Sequence, residues 1–184
     1  MAGRTLNIHT AQLLVIDMQP RLLAVQHGAQ SVELECSRLL RAAQVLAIPV
    51  TATTQNATRL GSLCPSIISD LPAGAAIHDK LHFSVIADDA ARLTMQNNCR
   101  PQVIVCGVET HICVCQTALE LLDCGFIPFV VCDAVTARKP ESHTMGLQRM
   151  ADAGVVLTLV ESSVYELLGR AGTDEFRALL PLFK

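Results

Sequence analysis

Short apolar runs alternate with amphipathic stretches along the whole chain. Runs at residues 13–16, 50–53, 76–80, 103–108, 129–132 and 155–160 have the length of β-strands, and most are apolar at successive positions rather than at every second one. Strands covered by helices on both faces read this way. The run Ala76-Ile77-His78-Asp79-Lys80 departs from it by mixing charged and apolar positions. Between the runs the period changes to that of a helix. Over 32–46 it places Leu39, Leu40, Ala43 and Leu46 on one face, and Pro49 closes the stretch before the next strand. Residues 85–97, 112–123 and 142–153 repeat the pattern, with Gly125 and Gly154 just past two of them, where a left-handed cap favours glycine. Two short helices are predicted at 164–168 and 174–180. Such alternation predicts strand–helix–strand units building a parallel sheet, an α/β fold in one domain spanning 1–184. The longest irregular stretch, 55–74, is expected to act as a lid or as an arm towards a neighbouring subunit.

Composition narrows the function classes. Hydrophobic residues are 51% of the chain and charged ones 17%, which suits a compact enzyme rather than a disordered chain. The net charge of −3, with no Lys/Arg run, lacks the electrostatic footprint of a nucleic-acid-binding protein. Residues 1–10 are mostly polar, and the apolar run ending at Ile16 is too short for a signal peptide or membrane span. A cytoplasmic protein with no membrane partner is therefore expected. The eight cysteines do not form a disulfide framework or a zinc-ribbon spacing. Cys106 and Cys132 fall inside apolar strands, where a free thiol packs as a small core residue.

In open parallel sheets, ligands bind beyond the carboxyl ends of the strands. Those ends carry Asp17, followed by Gln19; Thr53, Thr54 and Gln55; Lys80; Glu109 and Thr110, leading into the helix of Cys113; and Asp133. A carboxylate, an ammonium and a thiol thus arrive at one edge. A thiol becomes a strong nucleophile when ionised, and a cation or a helix N-terminus lowers its pKa. Thr110 is the predicted N-cap, Cys113 lies in the first helical turn, and Lys80 supplies positive charge. Asp17 is placed to take the thiol proton and return it to a leaving amine. Each residue also has a plain structural explanation: a turn Asp, a surface Lys, a core Cys. Only their joint placement favours chemistry.

Three segments, in order, resemble the isochorismatase-like cysteine hydrolases, a superfamily that includes nicotinamidases and N-carbamoylsarcosine amidohydrolases. Val15-Ile16-Asp17-Met18-Gln19 is similar to the aspartate motif, Lys80-Leu81-His82-Phe83-Ser84 to the lysine motif, and Gly107-Val108-Glu109-Thr110-His111-Ile112-Cys113-Val114 to the nucleophile motif. The resemblance implies a three-layer α-β-α sandwich, a six-stranded parallel sheet of order 3-2-1-4-5-6, and an Asp17-Lys80-Cys113 triad. It further implies a cis peptide at Val108–Glu109 and backbone N–H groups of Glu109 and Cys113 as oxyanion donors. The reaction it implies is thioester formation with loss of an amine, then hydrolysis, without a cofactor.

The substrate is narrowed by departures. Nicotinamidases of the superfamily carry an Asp/His metal cluster after the second strand, whereas residues 53–61 contain neither His nor acid, so no metal is expected. Members acting on isochorismate itself lack the cysteine; Cys113 therefore points to acyl or amide chemistry on a small molecule. Gln19, Gln55 and Phe83 are candidate substrate contacts, the first two as amide hydrogen-bonding groups and Phe83 as an aromatic ring for stacking. Three rival readings stand beside this one: a Cys-His hydrolase using His111, His78 or His82; a metal hydrolase using His78, Asp79 and His82; and a catalytically silent scaffold that keeps the fold. The apolar fraction, the resemblance and the loop after Gln55 suggest a homo-oligomer.

Overall fold

The computed structural model describes residues 5–184, so the first four residues of the polar N-terminal stretch lie outside the described residues. Six strands form one parallel sheet: β1 (Ala11–Ile16), β2 (Val50–Gln55), β3 (Ala76–Lys80), β4 (Gln102–Val108), β5 (Ile127–Thr136) and β6 (Val156–Thr158), in the order β3-β2-β1-β4-β5-β6. Successive residues of β1 explain its continuous apolar run. Leu13 and Val15 pack with one helical layer, Leu14 and Ile16 with the other. In chain order come the short α1 (Pro20–Leu23), α2 (Ala29–Val45), the short α3 (Ala57–Leu60) and α4 (Pro65–Asp70), then α5 (Asp89–Asn97), α6 (Cys115–Asp123), α7 (Pro140–Asp152) and α8 (Val160–Leu168). The first layer contains α2 and α8; the second contains α5, α6 and α7. The three-layer α-β-α sandwich and its strand order agree with the expectation.

Several elements differ from the sequence reading. The stretch 55–74, read as irregular, folds into two short helices, 57–60 and 65–70, and the second lies on α2. Ile67 is fully buried there, and Asp70 accepts hydrogen bonds from Ser37 and Arg41 of α2. Strand β5 runs four residues beyond the predicted end, shifting register against β4 between Val105 and Gly107. Asp133 consequently lies within β5, and its carboxylate accepts the backbone N–H of Val160, the first residue of α8, at 2.9 Å. It caps a helix rather than facing the other strand-end groups.

One glycine sets the spacing at the carboxyl edge of the sheet beside Asp17. Gly107 has φ +113, and a Cβ there would collide with the backbone of Ile16, one residue before Asp17. Only a residue without a side chain lets β4 approach β1 this closely.

Candidate active site

Asp17 and Lys80 form a salt bridge in the interior. Lys80 Nζ donates to Asp17 Oδ2 at 2.7 Å, and both side chains are 0% exposed. Burying two charges is tolerable only when the pair is well aligned and its remaining polar groups are satisfied. The second carboxylate oxygen accepts from Thr53 Oγ1 at 2.8 Å, and the ammonium also donates to Gln55 Oε1 at 2.8 Å. Asp17 sits just past β1 with φ 53. This left-handed conformation is more accessible to Asp than to most residues with a side chain.

Cys113 lies against this pair and is 7% exposed. Its thiol lies within electrostatic reach of the Asp17 carboxylate, the Lys80 ammonium and the Glu109 backbone N–H. Burial pushes the thiol up to about 12, and the negative charge of Asp17 adds to the rise; Lys80 and the Glu109 N–H pull downwards without offsetting it. The expectation of a lowered pKa is therefore corrected. Lys80 is already neutralised by Asp17, and Cys113 is too deeply placed for water to stabilise a thiolate. In this geometry the thiol rests protonated beside a carboxylate that can receive its proton.

The turn leading to Cys113 also departs from prediction. Thr110–Val114 is one turn of π-helix, with Val114 N–H bonded to the Glu109 carbonyl at 3.3 Å and Cys115 N–H to the Thr110 carbonyl; α6 begins only at Cys115. Single π-turns inside helices are frequent at functional sites. Thr110 is not an N-cap. Its hydroxyl is bonded to His143 Nδ1 of α7 at 2.9 Å. The Val108–Glu109 peptide is cis. Beyond Lys80, Ser84 donates to Glu120 at 2.6 Å and Val85 N–H to Thr117 Oγ1 at 3.0 Å, which ties the segment after β3 to α6.

The three candidate substrate contacts separate in the structure. Gln19 has its amide committed to backbone: Oε1 accepts from Gln55 N–H at 2.7 Å, and Nε2 donates to the carbonyls of Gln55 and Gly61 at 3.2 and 2.6 Å. It braces the end of β2. Gln55 is committed as well, holding Lys80 through Oε1 and donating Nε2 to the Leu81 carbonyl at 2.9 Å. Phe83 stands in the open, 53% exposed.

The rival groups do not converge. His78 Nε2 meets Thr94 Oγ1 at 3.0 Å, while Asp79 Oδ1 accepts from Thr54 Oγ1 and the Ala57 N–H, both at 2.8 Å. Alternate strand residues face opposite sides of a sheet. Among the described residues, no group of three or more His, Cys, Asp or Glu side chains is arranged to hold a metal ion. His111 packs against Gly146 of α7, its Nδ1 buried without a hydrogen-bond partner among the described residues.

Sequence reasoning missed Thr53 as the partner of Asp17, although the register pairing Ile16 with Thr53 puts it at the same level. It also missed Arg138, whose Nε donates to Glu109 Oε2 at 3.0 Å from the segment after β5. No local signal marks either contact.

The isochorismatase-domain family model matches residues 11–162. The chain belongs to the isochorismatase family. This family member is 35% identical over 179 residues to the secreted isochorismatase effector Isc1 of Phytophthora sojae, across 96% of the chain and 85% of that protein. It is 32% identical over 178 residues to isochorismatase domain-containing protein 2 of Bos taurus, across 95% and 83%. Among solved structures, the MAR1 ribonuclease of Caenorhabditis elegans superposes with a TM-score of 0.92 at 29% identity, covering 97% of this chain and 92% of that one. The Escherichia coli YcaC gene product, described as an octameric hydrolase of unknown specificity, gives 0.91 at 22% identity over 99% and 92%. At that identity the second likeness speaks for the fold alone. The isochorismatase-family chain thus carries a hydrolase fold, and among its described residues no helix is long and apolar enough to cross a membrane.

Proposed function

We propose that this protein is a cysteine-nucleophile hydrolase of a small amide, ureido or acyl compound, with Asp17, Lys80 and Cys113 as its catalytic residues. The observation that carries this reading is the buried Cys113 thiol set beside a carboxylate that is itself held in a buried ion pair. As Cys113 Sγ attacks the substrate carbonyl, its proton passes to Asp17. Backbone N–H groups of Glu109 and Cys113 receive the developing oxyanion. Collapse breaks the C–N bond, and the amine leaves with the proton from Asp17. Asp17 then takes a proton from water as the hydroxide attacks the thioester, which releases the acid and restores the thiol. Lys80 holds the Asp17 carboxylate in place through their ion pair. Because the resting thiol is protonated, deprotonation accompanies attack rather than preceding it.

A scaffold that only retains the fold has no use for this arrangement. A buried ion pair is weak support for stability, since apolar residues of similar volume do as well or better. RNA is not the substrate in this reading, given the net charge of −3. The test is a panel of small amides, ureido compounds and an RNA assayed against wild type and Cys113→Ala, with mass spectrometry to trap the acyl adduct. Turnover of an amide that vanishes in the variant, with the adduct on Cys113, is expected. Activity retained by Cys113→Ala, or an adduct on another cysteine, would overturn the assignment.

The same reading places the protein in the cytoplasm as a homo-oligomer. All eight cysteines are free, as a reducing compartment keeps them. Leu81 and Phe83, 71% and 53% exposed beside the site, give an apolar surface for a second copy.

A further inference from the structure

We infer that His143 is a positioning residue, whose hydrogen bond to Thr110 fixes the π-turn that carries Cys113. The inference rests on Cys113 being the nucleophile. Thr110 is 0% exposed, and a buried hydroxyl left without a partner is destabilising. It is the first residue of the turn, yet its hydroxyl caps no helix and is bonded instead to His143, 33 residues away in sequence. A π-turn closes its backbone with wide i→i+5 bonds and is rarely stable beyond a single turn. A brace from outside the turn is the natural remedy.

Helix α7 supplies it at two points. Gly146 lies so close that a Cβ there would stand 3.0 Å from the Cα of His111 and 3.1 Å from its nitrogen. His143, one turn earlier at i,i+3, reaches Thr110 from the same face. The glycine brings the helix into backbone contact, and the histidine then locks the register of that contact. Burial, aided by the nearby His27, lowers the pKa of His143 and so favours the neutral ring. A neutral imidazole with its proton on Nε2 offers Nδ1 as an acceptor for the Thr110 O–H. His27 and Asp133 line the cavity onto which His143 opens, and the Glu109–Arg138 pair lies beside the turn.

Carbamidomethylation of Cys113 by 2-chloroacetamide at pH 8, followed residue by residue by mass spectrometry on the whole protein, reads the turn directly. The probe carries a carbonyl that can use the same amides as a substrate. His143→Leu removes the acceptor and is expected to slow Cys113 modification about tenfold, while leaving the rate at exposed Cys99 unchanged. His143→Asn sets an amide oxygen where Nδ1 stood and should stay within about threefold of wild type. Thr110→Val breaks the same bond from the other side, and combining it with His143→Leu should add no further loss. If His143→Leu fails to fold, Thr110→Val carries the test. Wild-type rates in His143→Leu, or an Asn variant as slow as Leu, would overturn the inference. If wild-type Cys113 is itself no faster than Cys99 and insensitive to Asp17→Asn, the nucleophile reading has failed, and this inference with it.

Discussion

Removing one member of the Asp17–Lys80 pair should cost more stability than removing both. The two charges are 2.7 Å apart with neither side chain exposed. In Lys80→Met the carboxylate keeps the Thr53 hydroxyl and no cation. In Asp17→Asn the ammonium keeps Gln55 Oε1 and no anion. Breaking a buried pair from one side typically costs about 3–5 kcal/mol, whereas replacing both members by neutral groups of similar volume is often close to neutral. The two single losses would sum to about 6–10 kcal/mol, against about 1–2 kcal/mol for the double variant, a coupling of several kcal/mol. For a domain of this size each kcal/mol moves Tm by roughly 2–4 °C, so each single variant should melt about 6–20 °C below wild type. Urea unfolding at pH 7, with an unchanged slope confirming that only stability moved, gives the free energies. The double variant should regain stability yet remain inactive on any amide the wild type hydrolyses. Single losses below about 1 kcal/mol, or losses that simply add, would refute a dry, mutually dependent pair.

Three further outcomes follow from the same geometry. The Cys113 thiol, raised from an ordinary value near 9.0 to about 12, contributes stability that is complete below pH 9 and is lost as pH climbs towards 12. Cys64, raised to about 11, acts in the same sense. Cys113→Ala should therefore flatten the alkaline fall in urea midpoint between pH 8 and 10, and an unchanged slope would contradict the raised pKa. Gly107→Ala sets a methyl group against the Ile16 backbone at positive φ and should destabilise by about 2 kcal/mol or more in the same urea assay; a neutral result would mean the strand ends are not in close contact. Leu81→Glu with Phe83→Glu should shift the protein towards monomer in sedimentation velocity, and an unaltered assembly would place the subunit contact elsewhere.

The architecture was legible because fully covered parallel strands leave a strong mark: uninterrupted apolar runs separated by helical periods. Reading only the carboxyl ends of those runs brought Asp17, Lys80 and Cys113 to one edge, since parallel strands all finish on the same side of a sheet. What escaped were contacts decided by tertiary return. Gln19 looked free to meet a ligand because its partners come from elsewhere in the fold: the backbone of Gln55 at the end of β2 and that of Gly61 just past the first short helix. Asp133 looked like a strand-end group because the predicted fifth strand stopped too early. The π-turn has no periodic signature in five residues, and the Thr110–His143 bond spans 33 positions. The direction of the thiol pKa could not be read from neighbouring charges alone; the deciding quantity was depth, which a sequence does not display.

That depth also bears on how the protein ages in an oxidising cell. Peroxides attack thiolates, and sulfenic acid is the first rung of a ladder that ends in irreversible loss of the sulfur's chemistry. Cys113 rests protonated and 7% exposed, whereas Cys99 and Cys124 stand at the surface. Under the proposed mechanism a peroxide brings no carbonyl to engage the Glu109 and Cys113 amides and so would not set the proton transfer to Asp17 in motion. Surface thiols should then take the first oxidative damage while the sulfur in the site survives.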